Sequence, residues 1–302
     1  MPREAEPSLN EKQFFFKALK EDIRLDGRHA EDFRTLEIDF GESYGVVDLR
    51  LGGTRILTHL SAEITQPHAD RPFEGMFSVV TELSPMTYPH LESGRPSQNE
   101  ILISRLLEKT IRRSAALSLE SLCLVAGQTC WSIRADVHVL SADGNVIDAA
   151  SLAVVTALAH FKKPETSIIG GVVTVYTLSE REPVPLSLLH WPLCVTFSFY
   201  RVNVEGSEKV EKMMIDATEM EEQMRDGYMT VGMNPHGEIC QVAKLGGTPV
   251  NAELVLLCFS LASIKVKEFS KYISKRLQED IMKRDKGGQI AKLLSSENAR
   301  VS

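Results

Sequence analysis

The sequence predicts an α+β fold built from two similar halves, each a run of strands followed by a helix. Three observations lead there. Short apolar segments punctuated by glycine and proline occur in two separate runs. Each run gives way to a stretch whose apolar residues recur at helical spacing. The 302 residues are also enough for two core-sized units, at roughly 100–200 residues per domain. Strands then helices, twice over, describe two units that pack sheet against helix.

Taken in order, Ser8 and Glu11 form the pattern of a capping box, and Phe14, Phe15, Ala18 and Leu19 follow at helical spacing. A short helix is expected over residues 10–23. Strands are expected at 35–40, 45–51, 55–64 and 77–83, separated by Gly41, Gly45, the Gly52-Gly53 pair and the segment 67–75. Residues 99–116 read as a helix, 125–133 and 135–140 as strands, and Asp143-Gly144 as a turn. Residues 149–160 read as a helix rich in small side chains that ends before Pro164. The second run has strands at 171–176, 194–200, 213–215, 228–233 and 239–243, followed by a long helix over 251–283. Asn251 suits its N-cap, and Glu253 places a negative charge where the helix dipole favours one. The expected division is an N-terminal extension at 1–24, a first half at 25–165, a second half at 166–283 and a mobile tail at 284–302. Residues 180–192 are the expected linker.

Composition narrows the classes. The chain is 43% hydrophobic and 25% charged, as expected of a folded protein with a sizeable core. Its net charge of −7, from 34 basic and 41 acidic residues, is wrong for a stand-alone nucleic-acid binder, whose affinity comes from neutralising phosphates. Any RNA contact must use a local basic patch or a surface shared with a partner. Cys123, Cys130, Cys194, Cys240 and Cys258 are scattered and lack a C-x-x-C pair, which suits neither a disulfide framework nor a zinc site. The polar start lacks the apolar core of a signal peptide, and the apolar stretches at 149–159 and 254–264 fall short of the roughly 20 residues a membrane span needs. A soluble intracellular protein without a membrane partner is expected.

Two kinds of side-chain cluster carry possible chemistry. Arg105, Lys109, Arg112 and Arg113 are spaced i, i+4, i+7 and i+8, so they share one face of the 99–116 helix, with Ile103, Leu107 and Ile111 roughly opposite. Such a stripe is either a solvated face, with Glu108 nearby, or a phosphate-binding one. Arg95, in the turn before the helix, would add a cation. Among acids, Asp136 and His138 share one side of a strand, and Asp143 and Asp148 follow. The turn and a cap on the next helix account for the last two. A second run, Asp216 to Asp226, places Glu219 near Glu222 with Asp226 one turn on, either as surface or as paired carboxylates for a metal. Neither a phosphate loop nor a dinucleotide fingerprint is present.

Six segments, in order, resemble the RNase PH-like exosome family. They are Arg24-Leu25-Asp26-Gly27-Arg28, Arg71-Pro72-Phe73-Glu74-Gly75, Asp143-Gly144-Asn145-Val146-Ile147-Asp148-Ala149-Ala150, Pro183-Val184-Pro185-Leu186, Pro192-Leu193-Cys194-Val195-Thr196-Phe197 and Met224-Arg225-Asp226-Gly227. The resemblance spans residues 10–283 and implies the RNase PH fold, two pseudo-repeated β-sheet/helix halves packed together. The first and third segments look most like the ring subunits that lack catalytic residues. Active members share a Thr-Arg or Ser-Arg pair that binds phosphate just after the Asp-Gly turn, where this chain has Val146 and Ile147. They also carry two aspartates six residues apart; the matching positions here are Glu222 and Tyr228, and a tyrosine supplies no carboxylate. The later glycine-rich element reads Leu245-Gly246-Gly247-Thr248-Pro249, without the acidic residue that ends it in active bacterial relatives.

The resemblance therefore implies a catalytically silent subunit of the exosome ring, with no catalytic residue, metal or cofactor of its own. Its partners would be other RNase PH-like ring subunits, cap subunits with RNA-binding domains, associated nucleases and single-stranded RNA. The complex would perform 3′-to-5′ RNA processing and decay, including ribosomal RNA maturation and mRNA decay, in nucleus, nucleolus and cytoplasm. RNA contact would fall to Arg105, Arg112 and Arg113, supported by Lys109 and Arg95. The second-half sheet and the apolar helices would supply much of the ring interface. A competing reading is an active phosphorolytic exoribonuclease that uses Glu222 and Asp226 as metal ligands; a third is an RNA-binding module acting alone.

Overall fold

The computed structural model describes residues 7–88, 91, 96–170, 172–177, 180–202 and 210–284. Arg95 and the expected tail from Asp285 onward lie outside the described residues. The capping box forms as its residue types require: the Ser8 hydroxyl accepts from the Glu11 amide and the Glu11 carboxylate accepts from the Ser8 amide, which starts α1 (Leu9–Lys20). Phe15 and Leu19 are its buried residues.

Antiparallel β1 (Leu36–Phe40), β2 (Val46–Leu51) and β3 (Thr54–Thr65) follow, then β4 (Met76–Leu83), α2 (Gln98–Arg113), the short β5 (Cys123–Val125) and β6 (Thr129–Ser141). They form one sheet in the order β1-β2-β3-β6-β4, with β5 on β6 and β4 running parallel to β6. The two strands expected at 125–133 and 135–140 are one, because the alternation passes unbroken through Arg134. Ile133, Ala135, Val137 and Val139 are all at 0% exposure on one face, and Arg134 points to solvent.

Helix α3 (Val146–His160) begins three residues earlier than the sequence suggests, because Asn145 takes a left-handed conformation (φ 51) that closes the Asp143-Gly144 turn directly onto the helix. Of its side chains only Ile147 and Ala159 escape full burial. A helix that is apolar on every side must be enclosed, and its alanines let two sheets approach it closely.

After α3 come β7 (Lys162–Lys163), the hairpin of β8 (Thr166–Ile169) and β9 (Val172–Val175), and β10 (Val184–Pro185), which pairs with β7. The stretch expected as a linker is thus fastened down, with Leu188 bridged to Leu117 and Leu186 buried. Next come β11 (Leu193–Val202), β12 (Val210–Ile215), α4 (Glu219–Met224), β13 (Gly227–Met233), β14 (Ile239–Ala243) and α5 (Ala252–Arg284). The second sheet runs β12-β11-β13-β14, all antiparallel. Helix α4 was not expected as a separate element. It stops at Met224 because Arg225 is extended, which leaves Asp226 off the helix rather than one turn beyond Glu222.

Helix α3 lies between the sheets, against β2 and β3 on one side and β11 on the other. Helix α2 bridges β4 and β14, and α5 spans from β11 and β13 to β1. β11 is therefore buried on both faces: Cys194 and Thr196 meet α3, while Phe199 shares its face with Met213, whose sulfur lies 3.1 Å from Cys258 of α5. All five cysteines are free.

Gly144 marks a close approach of the halves. Its φ is +73°, and a Cβ there would lie 2.4 Å from the Ala217 carbonyl oxygen. Gly144→Ala should cost at least about 2 kcal/mol of stability in urea unfolding, from the clash and the left-handed backbone together. An unchanged midpoint would mean the halves do not meet at this turn.

Candidate functional site

The junction of the halves is a network of arginines on carboxylates. Asp216, at 0% exposure and with φ 51, receives the Arg34 amide at 2.8 Å, Arg34 Nε at 2.9 Å and Nη2 at 2.8 Å. It also receives Arg28 Nη1 at 2.9 Å and Asn145 Nδ2 at 2.8 Å. Burial alone would push this carboxyl up, but the Arg34 guanidinium and the other donors outweigh it and hold the group below the usual carboxylate range. Beside it, Arg24 grips Glu221 through Nε at 3.1 Å and Nη2 at 2.6 Å, and donates to the Ile215 and Asp216 carbonyls. Arg34 also reaches the Asp143 carbonyl at 2.6 Å, and the Thr54 hydroxyl reaches that of Gly144 at 2.7 Å.

The head of α3 sits on this junction. Val146 and Ile147 occupy its first two positions, with aliphatic side chains. The Asn145 amide donates to the Glu222 carboxylate at 3.2 Å, so an internal carboxylate lies at the positive end of the helix. Arg225 donates to the same carboxylate at 3.0 Å and lies over the Tyr228 ring at 4.1 Å. Burial pushes the Glu222 carboxyl up, against the pull of Arg225 and the amide. Asp226 turns away, its carboxylate accepting the Arg201 amide at 2.7 Å. Gly247 packs backbone to backbone, since a Cβ there would lie 2.6 Å from Gly227 Cα.

Other expected acids separate. Asp148 does not cap α3. Its carboxylate points into the second sheet and accepts the Thr196 amide at 2.8 Å and hydroxyl at 2.7 Å, because Thr196 of β11 crosses the helix at that point. Asp136 and His138 do share the outer face of β6, but Asp136 accepts from Arg134 at 2.7 Å and His138 pairs with Glu82 at 3.0 Å. Among the described residues no group of three or more His, Cys, Asp or Glu converges to hold a metal.

The basic stripe does form a surface. Ser97 and Glu100 make a capping box for α2, while Ile103, Leu106, Leu107 and Ile111 are buried. Arg105, Lys109, Arg112 and Arg113 line a depression of about 460 Å³ on the opposite side. Arg71 joins them and, with Arg112, continues the groove into a second hollow of about 400 Å³ beside His68. Arg71 was missed as a site residue; its presence in the Arg71-to-Gly75 segment was the available signal. Glu108 pairs with Arg105 at 3.4 Å and Arg112 at 2.9 Å, and Glu74 with Arg71 at 3.1 Å. Lys109 and Arg113 have no ion pair among the described residues. Five cations against three carboxylates, Asp70, Glu74 and Glu108, leave an excess of two positive charges on an acidic protein.

The chain matches the 3′ exoribonuclease family (RNase PH), domain 1, over residues 32–164 and domain 2 over residues 190–265. It is 46% identical to a Schizosaccharomyces pombe protein named exosome complex component rrp45, over 94% of this chain and 96% of that one. It is 44% identical to the Saccharomyces cerevisiae exosome complex component RRP45, over 99% of each. Among solved structures it is similar to a chain of the Archaeoglobus fulgidus exosome with RNA bound to the active site, with a TM-score of 0.74 and 24% identity over 87% of this chain and 97% of that one. That likeness fixes the fold.

Burial holds the Asp148 carboxyl up at about 7, whereas an unfolded aspartate titrates near about 3.9. Between these values the folded chain keeps a proton that the unfolded chain has lost, so stability falls as pH rises from about 4 to about 7. Asp148→Asn should flatten the melting temperature between about pH 5 and pH 7 relative to the parent chain. Parallel profiles would show that Asp148 is not the group responsible.

Proposed function

The chain belongs to the 3′ exoribonuclease (RNase PH) family, and on that premise we propose that it is a structural subunit of an RNA exosome core ring that keeps the fold without the chemistry. The relatives named exosome complex component RRP45 support the placement. In this reading it assembles with other RNase PH-like subunits, carries cap subunits with RNA-binding domains, and passes single-stranded RNA to associated nucleases. It serves 3′-to-5′ processing and decay in nucleus, nucleolus and cytoplasm.

The observation that carries catalytic silence is the head of α3. Phosphorolysis needs a bound phosphate dianion poised to attack the terminal phosphodiester. A helix N-terminus with hydrogen-bonding and cationic side chains is suited to hold one. Here the side chains are those of Val146 and Ile147, and the Asn145 amide already serves the Glu222 carboxylate at 3.2 Å. An incoming phosphate would meet apolar surface and a like charge. The alternative, metal-assisted phosphorolysis by Glu222 and Asp226, is weakened because the two carboxylates serve different partners, Asn145 with Arg225 and the Arg201 amide.

Guidance of RNA rests on the groove of Arg71, Arg105, Lys109, Arg112 and Arg113. Cations in a shallow groove neutralise phosphates without reading bases, which suits an RNA that must slide.

Two measurements test this. The chain paired with a ring partner that is itself inactivated should release no nucleoside diphosphate from RNA in phosphate and Mg²⁺. Release that vanishes in Glu222→Ala would overturn catalytic silence. In the assembled ring, changing Arg105, Arg112 and Arg113 together to Glu should weaken binding of single-stranded RNA. The slope of log K against log salt should become shallower by about 2, at roughly 0.7 per phosphate contact. An unaltered slope would place the RNA elsewhere.

A further inference from the structure

A second basic surface, separate from the groove on α2, lies along α1. Phe15 and Leu19 anchor that helix against Tyr200, Val202 and Met214. Beside this contact, Leu9, Gln13, Phe16 and Lys20 recur at i, i+4, i+7 and i+11 and form one stripe, with Phe16 at its inner edge against the same cluster. With Lys12 and Lys17 beside them and Arg201 and Val202 of β11 opposite, they line a cleft of about 400 Å³.

Two properties distinguish this cleft from a solvated helix face. Among the described residues its lining holds four cations and no carboxylate. Lys12, Lys17 and Lys20 have no ion pair among the described residues. Arg201 is held in place by Glu211 at 3.5 Å and the Pro249 carbonyl at 3.3 Å. The acid of α1, Glu11, is committed to the Ser8 amide at 2.7 Å and lies on the other side of the helix. The cleft also has an apolar floor. Leu9 is 77% exposed, and Phe16 packs on the core only in part. Apolar side chains grouped in a concave surface favour whatever covers them.

We propose that this cleft docks a short acidic segment of a partner protein. One apolar side chain of that segment packs against Leu9 and Phe16, and its flanking Asp or Glu residues meet Lys17, Lys20 and Arg201. Charge complementarity selects the sign of the partner and the floor selects a peptide. An RNA backbone would be served by the cations alone and would leave the floor without a matching group. The helix is ready for such a partner, because its capping box and the Phe15–Tyr200 contact hold it in place.

The test uses the full chain and a fluorescein-labelled peptide in which Asp and Glu flank a Phe-Leu pair, read by fluorescence anisotropy. Controls are the same peptide with Ser for both apolar residues, and oligouridylate of similar charge. The parent chain should bind the acidic-apolar peptide. The double variant Lys17→Glu/Lys20→Glu and the single variant Leu9→Ser should each weaken binding on the order of tenfold. Both change exposed side chains, and an unaltered thermal melt by circular dichroism would show that α1 remains docked. The serine peptide should also bind on the order of tenfold more weakly than the parent peptide. Failure of the peptide to bind, or binding indifferent to either variant, would overturn the proposal. So would preference for oligouridylate that is lost in the double variant, which would make the cleft a phosphate surface. None of these outcomes depends on ring assembly, so the proposal can fail while the ring reading stands.

Discussion

Asp216 is a carboxylate with no access to solvent, surrounded by donors from two arginines, a backbone amide and an asparagine. Removing a carboxylate and arginines from water costs several kcal/mol per ion, and only a filled set of hydrogen bonds offsets it. The donors and the acceptor come from distant parts of the chain: Arg28 and Arg34 precede the first sheet, Asn145 caps α3, and Asp216 follows β12. The network therefore forms only when the two halves take one relative position. Arg24 on Glu221 adds a second such pair one turn away, both side chains nearly fully buried. Breaking one partner of such a pair typically costs about 3–5 kcal/mol, far more than a surface ion pair contributes.

From that junction the candidate site follows. Holding Asn145 against Asp216 sets the direction in which α3 leaves the turn, and α3 fills the space between the sheets. The same placement brings Glu222 to the amide of Asn145, the residue that caps the helix, so a carboxylate of the protein's own lies beside the helix start. The expectation that apolar helices would serve a ring interface is corrected for α3, which is enclosed by β2, β3 and β11 and has no free face. Helices that do expose apolar residues include α5, at Leu256, Leu257 and Ile264, α2, at Ile101 and Leu102, and α1, at Leu9 and Phe14. Helix α2 divides its duties by face: the apolar side packs on β4 and β14, which leaves the arginines outward.

A net charge of −7 conceals an uneven surface. Acids are placed near the halves' junction, where they are neutralised, and in capping boxes, where Glu11, Glu100 and Glu221 serve helix starts. Among the described residues cations outnumber carboxylates in two grooves, one along α2 and one along α1. Overall charge argues against a stand-alone nucleic-acid binder without excluding local positive surfaces, whose fields extend only about one Debye length, roughly 8 Å in physiological salt.

What the amino-acid sequence determined by itself was local and periodic. Ser8 with Glu11 specifies a cap within three residues; the cationic stripe of α2 and the alternation of β6 follow from backbone repeats of 3.6 and 2 residues. Asp143-Gly144 specifies a turn because glycine tolerates the backbone it needs. The ordered segments pointed to the family through residues whose partners lie far away in sequence. Tertiary structure alone decided those partners. Arg24 and Glu221 are 197 residues apart, and no periodicity links them. Asp148 looked like a cap because aspartate near a helix start commonly is one, but the passage of β11 supplied Thr196 instead. Arg71 joined the groove, and α1 met Arg201, through contacts between elements that the sequence separates. Short-range geometry is written in neighbouring residues; which buried charge meets which is settled only when the halves close and desolvation leaves each carboxylate the donors within reach.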